Sequence, residues 1–147
     1  MKVETKAYGF IDVDARQKIN FPQGILGFEN FHEFVLIDAK QQPFFWLQSI
    51  EVVDISFLLI NPKIFRSDYE VEVDDDELTE IHIESEEDIL VLAIVTIPEN
   101  TSKMTANLQG PIIINKRTRE ARQSIHKNSK WKTRHVILEE LAAMEQK

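Results

Sequence analysis

The sequence predicts a mostly β protein: a single small antiparallel, barrel-like domain with a few short helices. Short apolar runs rich in β-branched and aromatic residues recur along the chain, with turn residues between them. The 147 residues suit one ordinary domain, and neither an internal repeat nor a low-complexity linker divides them. Many short strands separated by turns are typical of a barrel or a sandwich.

The strands are predicted from the apolar pattern. An alternating run extends from Val3 to Val13, and a second short strand, Ile19 to Phe21, stops at Pro22. Further runs predict strands at 34–37, 44–47, 55–60, 89–97, 104–108 and 112–114. Runs this short suit buried strands better than helices.

Three segments carry helical signals. Asp74 to Glu80 places acidic residues in a first turn, which suits the positive end of a helix dipole. Ser85 with Asp88 three residues later has the form of a capping box. Apolar residues at helical spacing predict a short amphipathic helix, or a frayed tail, over about residues 137–147.

Composition excludes several classes of site. The chain has no cysteine, which excludes disulfides and thiolate metal sites. No apolar run approaches the ~20 residues that span a bilayer, and the start does not resemble a secretory signal. We therefore expect a cytoplasmic protein without membrane contact. The formal net charge of −8 makes binding to a phosphate backbone unexpected, unless a basic patch overrides the average.

Charge is unevenly distributed. Twelve acidic residues and no Lys or Arg lie between Asp68 and Asp88, whereas residues 116–134 hold eight basic residues and one acid. The sequence therefore predicts an acidic band and a basic band, provided that the two do not fold against each other. The acidic band could be a calcium site, a solvated helix start or a steering surface. It lacks the glycine and alternate spacing of a calcium loop, so the solvated helix start is favoured.

Catalytic patterns are missing from the sequence. It contains no nucleophile elbow, phosphate-binding loop or dinucleotide fingerprint. Gly24 and Gly27 are interpreted as part of a turn between strands. On a strand, His82 and Glu84 would share a face, but two ligands are too few for a typical zinc site. The favoured interpretation is that both are polar surface residues on an edge. We expect no enzyme activity, no cofactor, no metal and no small-molecule substrate.

Two features leave alternatives open. The basic stretch 116–134, with Trp131, could bind nucleic acid by charge and stacking, or it could be a solvated face. The second is favoured because the chain is acidic. Phe44, Phe45 and Trp46 are consecutive, so on a strand one aromatic needs a second cover. It could pack under a loop, which is favoured, or it could anchor a partner.

The string from Phe21 to Glu29 (Phe-Pro-Gln-Gly-Ile-Leu-Gly-Phe-Glu) resembles a characteristic string of the flagellar assembly factor FliW family. The blocks 43–49, 91–98, 104–108, 111–115 and 133–135 resemble further family blocks in the same order, so the resemblance covers the chain from its start to its tail. Two departures lie near the C-terminal end: Val136 stands where the family often has proline, and Trp131 stands where a tyrosine is expected.

The resemblance implies a cytoplasmic, mostly β, FliW-like domain over residues 1–147 with two protein partners. One is flagellin, and the other is CsrA, an RNA-binding regulator that represses flagellin synthesis. Binding of CsrA relieves that repression, and flagellin competes for the FliW protein. Candidate partner-binding residues combine aromatic and apolar anchors with the acidic segment: Phe45, Trp46, Asn61, Pro62, Ile64, Phe65, Asp74, Asp75, Asp76, Glu77, Met104 and Asn107.

Overall fold

The computed structural model describes residues 1–146. Within them the strands are β1 (Lys2–Thr5), β2 (Gly9–Asp12), β3 (Lys18–Asn20), β4 (Glu33–Asp38), β5 (Phe45–Ser49), β6 (Ser56–Ile60), β7 (Ile89–Thr96), β8 (Thr105–Ala106), β9 (Ile112–Asn115), β10 (Ala121–Gln123) and β11 (His135–Val136). The helices are α1 (Asp75–Glu80) and α2 (Ile137–Glu145). Short 3₁₀ helices span Ala15–Gln17, Pro62–Ile64, Glu86–Asp88 and Thr101–Lys103.

The main sheet is antiparallel and follows the chain from β3 through β4, β5 and β6 to β7. The long strand β7 has two halves. Residues Ile89–Leu92 pair with β9, which continues to β10, whereas the second half pairs with β6 and with the short strand β8. Strand β11 pairs with β8. The predicted mostly β, antiparallel class is confirmed.

The two edge strands of this sheet meet at one point, where Asn20 and Glu120 form an isolated parallel bridge. The amide of Asn20 donates to the carbonyl of Arg119 at 2.9 Å. The contact is one residue pair long, so closure of the sheet into a barrel stays a prediction.

The predicted continuous strand from Val3 to Val13 is wrong. The run is a hairpin, because the chain turns at residues 6–8 and Gly9 adopts a φ of +68°. Thr5 stabilises the turn: its hydroxyl accepts from the amide of Tyr8 at 2.9 Å and donates to the carbonyl of Gly9 at 2.8 Å. Alternation alone does not reveal such a turn.

The main sheet buries both of its faces. Ile19, Phe34, Leu47, Leu59 and Leu92 belong to a cluster on one face. A second cluster on the opposite face is covered by the segments after β6 and β10; its buried members include Leu58, Ile60, Phe65, Tyr69, Ala93, Val95, Trp131 and Ile137. Two buried faces explain why these strands are continuous apolar runs rather than alternating ones.

The helical predictions hold. Helix α1 begins after Asp74 with three acids in its first turn. The carboxylate of Asp88 accepts from the amides of Glu84 and Ser85, and a 3₁₀ turn follows. Helix α2 ends at Glu145; Lys147, included in the predicted tail, lies outside the described residues. None of the helices within residues 1–146 is long and apolar enough to cross a bilayer.

Candidate partner-binding surface

The segment that follows β6 forms one wall of a cleft. The side chain of Asn61 accepts from the amide of Lys63 at 3.0 Å, and Pro62 occupies the start of the 3₁₀ turn, where its missing N–H costs nothing. Phe65 is fully buried directly after this turn. The cap and the buried ring together fix the path of residues 61–65 against β7.

Tyr69 holds the next part of the wall. Its hydroxyl donates to the carbonyl of Leu108 at 2.8 Å, and its ring lies edge-on to Trp131 with 4.8 Å between centroids. Burial raises the pKa of Tyr69 above its ordinary value. The phenol is therefore a neutral structural donor, not an acid–base group.

The cleft has a volume of about 330 Å³. Pro62 and Val71 line one side, and residues 89–91 of β7 line the other. Two exposed acids, Glu70 and Glu86, also line it. Lys63 pairs with Glu70 at 3.3 Å, whereas within residues 1–146 Glu86 has no ion pair. The cleft thus combines an apolar floor with a charged rim of Lys63, Glu70 and Glu86.

The acidic and basic bands fold against each other, so they do not form two separate surfaces. Arg122 lies between Glu77 (2.9 Å) and Glu80. Lys127 pairs with Asp74 at 2.8 Å, and this hydrogen bond raises the pKa of Lys127. The basic residues therefore neutralise much of the acidic segment and also hold it in place.

Arg66 connects the cleft segment to α2. Its guanidinium pairs with Asp68 at 2.9 Å and with Glu140 at 2.6 Å, and it stacks 4.5 Å from the ring centroid of Trp131. The hydrogen bond from Arg66 holds the pKa of Asp68 well below its usual range, and Lys130 lowers it further. Asp68 is thus a fixed anion, already neutralised by its neighbours.

Several acids stay exposed and unpaired within the described part of the chain. Asp75 and Asp76 lie in the first turn of α1, and Glu86 and Glu87 lie in the turn before β7. Together with Glu72, which is also exposed and forms no ion pair within residues 1–146, these four carboxylates are the part of the predicted acidic band that can face a charged partner.

The predicted residues after β6 fall into two groups. Asn61 and Pro62 line the cleft, and Ile64 is adjacent in the chain with 38% of its surface exposed, which is high for an isoleucine. Phe65 has no exposed surface and belongs to the core. A partner can reach Ile64, whereas Phe65 acts only by supporting the wall.

Phe45 and Trp46 lie on opposite faces of β5, and neither lines the cleft. Phe45 packs against the first cluster. Trp46 packs under the β1–β2 hairpin, where its indole N–H donates to the hydroxyl of Tyr8 at 3.2 Å. The second cover that the aromatic run required is therefore supplied by the N-terminal hairpin.

Met104 and Asn107 lie elsewhere. Met104 is half-buried against the second cluster. The side-chain oxygen of Asn107 accepts from the amides of Gln109 (3.1 Å) and Gly110 (2.8 Å), so it shapes the turn before β9. Asn107 also lines a separate groove with Thr105 and Arg134.

Other interpretations can be compared with the structure. Gly24 and Gly27 have φ of +69° and +87°, as a turn requires. His82 is in a turn with φ +62°, not on a strand, and pairs with Glu120; residues 1–146 contain no metal-ligand cluster. Trp131 is 3% exposed, so it is not available to stack on a base.

Sequence reasoning missed most of the cleft. Val71, Ile89 and Val91 were not predicted as site residues, although Ile89 and Val91 are alternate positions of the longest apolar run. Glu70 and Glu86 were treated only as members of the band. The signal that could have found them is the pattern of β7, where a strand buried on both faces needs a covering segment.

Comparison with known proteins identifies relatives over nearly the whole chain. The family model described as FliW protein matches residues 2–137. A flagellar assembly factor FliW of Treponema denticola is 46% identical over 143 residues, covering 97% of each chain. Its counterpart in Treponema pallidum is 45% identical and covers 97% of this chain and 95% of the relative.

Among solved structures, a crystal structure of the flagellar assembly factor FliW superposes with a TM-score of 0.86 at 36% identity, covering 93% of this chain and 96% of that one. The likeness in fold and in sequence extends over the cleft, the acidic segment and the sheet.

Proposed function

Because this chain belongs to the FliW family of flagellar assembly factors, we propose that it is a non-enzymatic cytoplasmic protein that binds flagellin and CsrA. In this proposal, binding of CsrA relieves repression of flagellin synthesis, and flagellin competes for the same protein. The observation that carries the proposal is the cleft at Asn61 and Pro62, which combines an apolar floor with exposed carboxylates.

Flagellin is proposed to occupy the cleft. An amphipathic helix binds by placing an apolar face in such a groove, and the terminal segments of flagellin are expected to be amphipathic helices. The floor of Val71, Ile89 and Val91 offers apolar contact, and the exposed Ile64 lies two residues after Pro62 in the segment that forms the wall. A basic residue on the polar face of a bound helix would face Glu86, since Glu70 is already paired with Lys63.

The flagellin proposal is tested by calorimetric titration of purified flagellin into the Ile64→Ala variant. We expect affinity to fall about tenfold, which corresponds to ~1.4 kcal/mol. The matched control is Ile50→Ala, because Ile50 is 37% exposed and lies outside the cleft. Equal affinity for the two variants would reject the exposed part of the segment that follows β6 as a flagellin contact. Phe45→Ala is a poor probe, since Phe45 packs against the core.

CsrA is proposed to lose its RNA through repulsion by the exposed acids. Carboxylates held beside a bound RNA repel its phosphates, and two unit charges ~4 Å apart near a protein surface interact with roughly 4 kcal/mol before screening. The pairing of Asp74 and Glu77 with basic residues makes them poor sources of this field. Asp75, Asp76, Glu86 and Glu87 are its proposed source.

The electrostatic proposal is tested by titrating this protein into a complex of CsrA with labelled RNA. We expect the Asp75→Asn/Asp76→Asn variant to bind CsrA and to release less RNA. The control, Asp12→Asn/Asp54→Asn, removes two exposed acids elsewhere and should release RNA as the unmodified protein does. Unchanged release by the first variant would rule out repulsion from α1, and loss of CsrA binding would make α1 a contact surface instead.

A further inference from the structure

A second groove, of about 610 Å³, lies at the C-terminal end of β7. Its walls come from the end of β7, the loop up to Lys103, strand β8 and the residues before β11. None of the acidic residues within the described part of the chain lines it, although the formal net charge is −8. The lining residues are Ile94, Thr96, Pro98, Lys103, Thr105, Asn107, Thr133 and Arg134.

The two cations of this groove, Lys103 and Arg134, differ from four of the eight basic residues of the 116–134 stretch. Arg117, Arg122, Lys127 and Lys130 are all engaged by acids of the 68–88 segment. In contrast, neither Lys103 nor Arg134 forms an ion pair within residues 1–146, and both side chains are exposed. They are free to bind an anion without first breaking an internal contact.

The neutral lining also favours an acceptor-rich ligand. Asn107 has its side-chain oxygen committed to two backbone amides, so it offers only N–H donors to a bound group. Thr96, Thr105 and Thr133 add hydroxyl groups that make no hydrogen bond within residues 1–146. Donors on several walls, with a cation from the Lys103 loop and another before β11, match carboxylates spaced along a chain.

We propose that this groove binds an extended acidic segment of a protein partner, at a site separate from the cleft at Asn61 and Pro62. Within residues 1–146 the two grooves share no lining residue. Nucleic acid is disfavoured because the described lining offers two cations and no aromatic side chain for stacking on bases. The proposal does not depend on flagellin or CsrA as ligands.

The test is fluorescence anisotropy with a labelled peptide of alternating Glu and Ala, compared with the same peptide carrying Gln in place of Glu. We expect only the Glu peptide to bind, with an affinity that falls as salt is added. The variant Lys103→Glu/Arg134→Glu should weaken binding at least about tenfold. The control Lys2→Glu/Arg16→Glu makes the same change in net charge at exposed sites outside the groove and should stay within about twofold.

Three results would overturn the proposal. Equal binding of the Gln peptide would show that carboxylates are not recognised. Equal loss in both double variants would show an effect of net charge only. Tighter binding of a labelled oligothymidylate than of the Glu peptide, lost in Lys103→Glu/Arg134→Glu, would assign the groove to nucleic acid instead. Circular dichroism of each variant establishes that it is folded.

Discussion

The hydroxyl of Tyr69 supports a prediction that links stability to pH. In Tyr69→Phe, the carbonyl of Leu108 loses its donor at a buried site. We expect the free energy of unfolding of the variant to be about 1–2 kcal/mol lower near neutral pH. A decrease of this size is typical when a buried hydrogen bond is lost and its acceptor is left unsatisfied. Because the ring is retained, its contact with Trp131 should persist.

The same residue should make the unmodified protein lose stability in alkali. Burial raises the pKa of Tyr69 in the folded state, whereas in the unfolded state it is near ~10. The contribution of the Tyr69 hydroxyl to the free energy of unfolding is therefore complete below about pH 10. As pH rises above that value, the contribution falls by ~1.4 kcal/mol per pH unit until the folded-state pKa is reached. Tyr69→Phe lacks this loss, so the difference in free energy of unfolding between the unmodified protein and the variant (the stability gap) should close near about pH 11.

Urea unfolding followed by tryptophan fluorescence, at pH values from neutral to alkaline, measures this gap. Trp131 reports on the site directly, with its ring 4.8 Å from that of Tyr69. Tyr8→Phe is the control, because it leaves Tyr69 and its alkaline loss in place. A gap that stays constant across the alkaline range would refute the assignment of Tyr69 as a buried neutral donor.

Three further predictions concern turns, charge and core. Gly24→Ala places a Cβ 2.5 Å from the Cα of Glu29 at a φ of +69° and should destabilise by about 2–4 kcal/mol in urea titrations, whereas Gly27→Ala, with no atom within 4 Å of its Cβ, should cost only about 1–2 kcal/mol. Asp68→Asn should lower stability near neutral pH by less than about 1 kcal/mol, because Asp68 is half exposed. Since the pKa of Asp68 is lowered on folding, this difference should be present above about pH 4 and vanish in stronger acid, as acid titrations followed by circular dichroism would show. Phe65→Ala should lower the free energy of unfolding by about 3–5 kcal/mol. It should weaken flagellin binding only by the fraction of molecules that unfold, and calorimetry at low temperature separates this loss of folded protein from the loss of a direct contact.

The strands could be predicted because a strand that is buried on both faces is a continuous apolar run in the sequence. Residues 89–97 read as an uninterrupted apolar run, and β7 spans Ile89–Thr96. The hairpin at residues 6–8 could not be predicted, since its turn depends on the left-handed conformation of Gly9 inside a pattern that alternates throughout. A period of two records which residues alternate, not where a chain reverses.

The candidate site was only partly predictable, for a related reason. Asn61 and Pro62 directly follow the apolar run 55–60 and were named as candidate partner-binding residues, whereas Val71 and Ile89 belong to separate segments that meet only in the fold. Trp131 is an example of a residue for which the sequence left a partner-binding role open that its burial excludes. Its basic neighbours suggested a stacking residue, but its ring is covered by Tyr69 and Arg66 and serves the core.

Charge pairing gives the acidic segment two distinct roles. The carboxylates of Asp68, Asp74 and Glu77 pair with cations of the basic stretch, and these ion pairs hold the acidic segment in place. Because the Debye length is ~8 Å at physiological ionic strength, a carboxylate already matched by a cation adds little field at a partner's surface. Asp75 and Asp76 lie between Asp74 and Glu77 in the chain and have no such cation in the described residues. Acids at consecutive positions can therefore have different roles: some fix α1 through ion pairs, and the others stay free to repel phosphate. Counting twelve acids in the sequence does not distinguish these two roles.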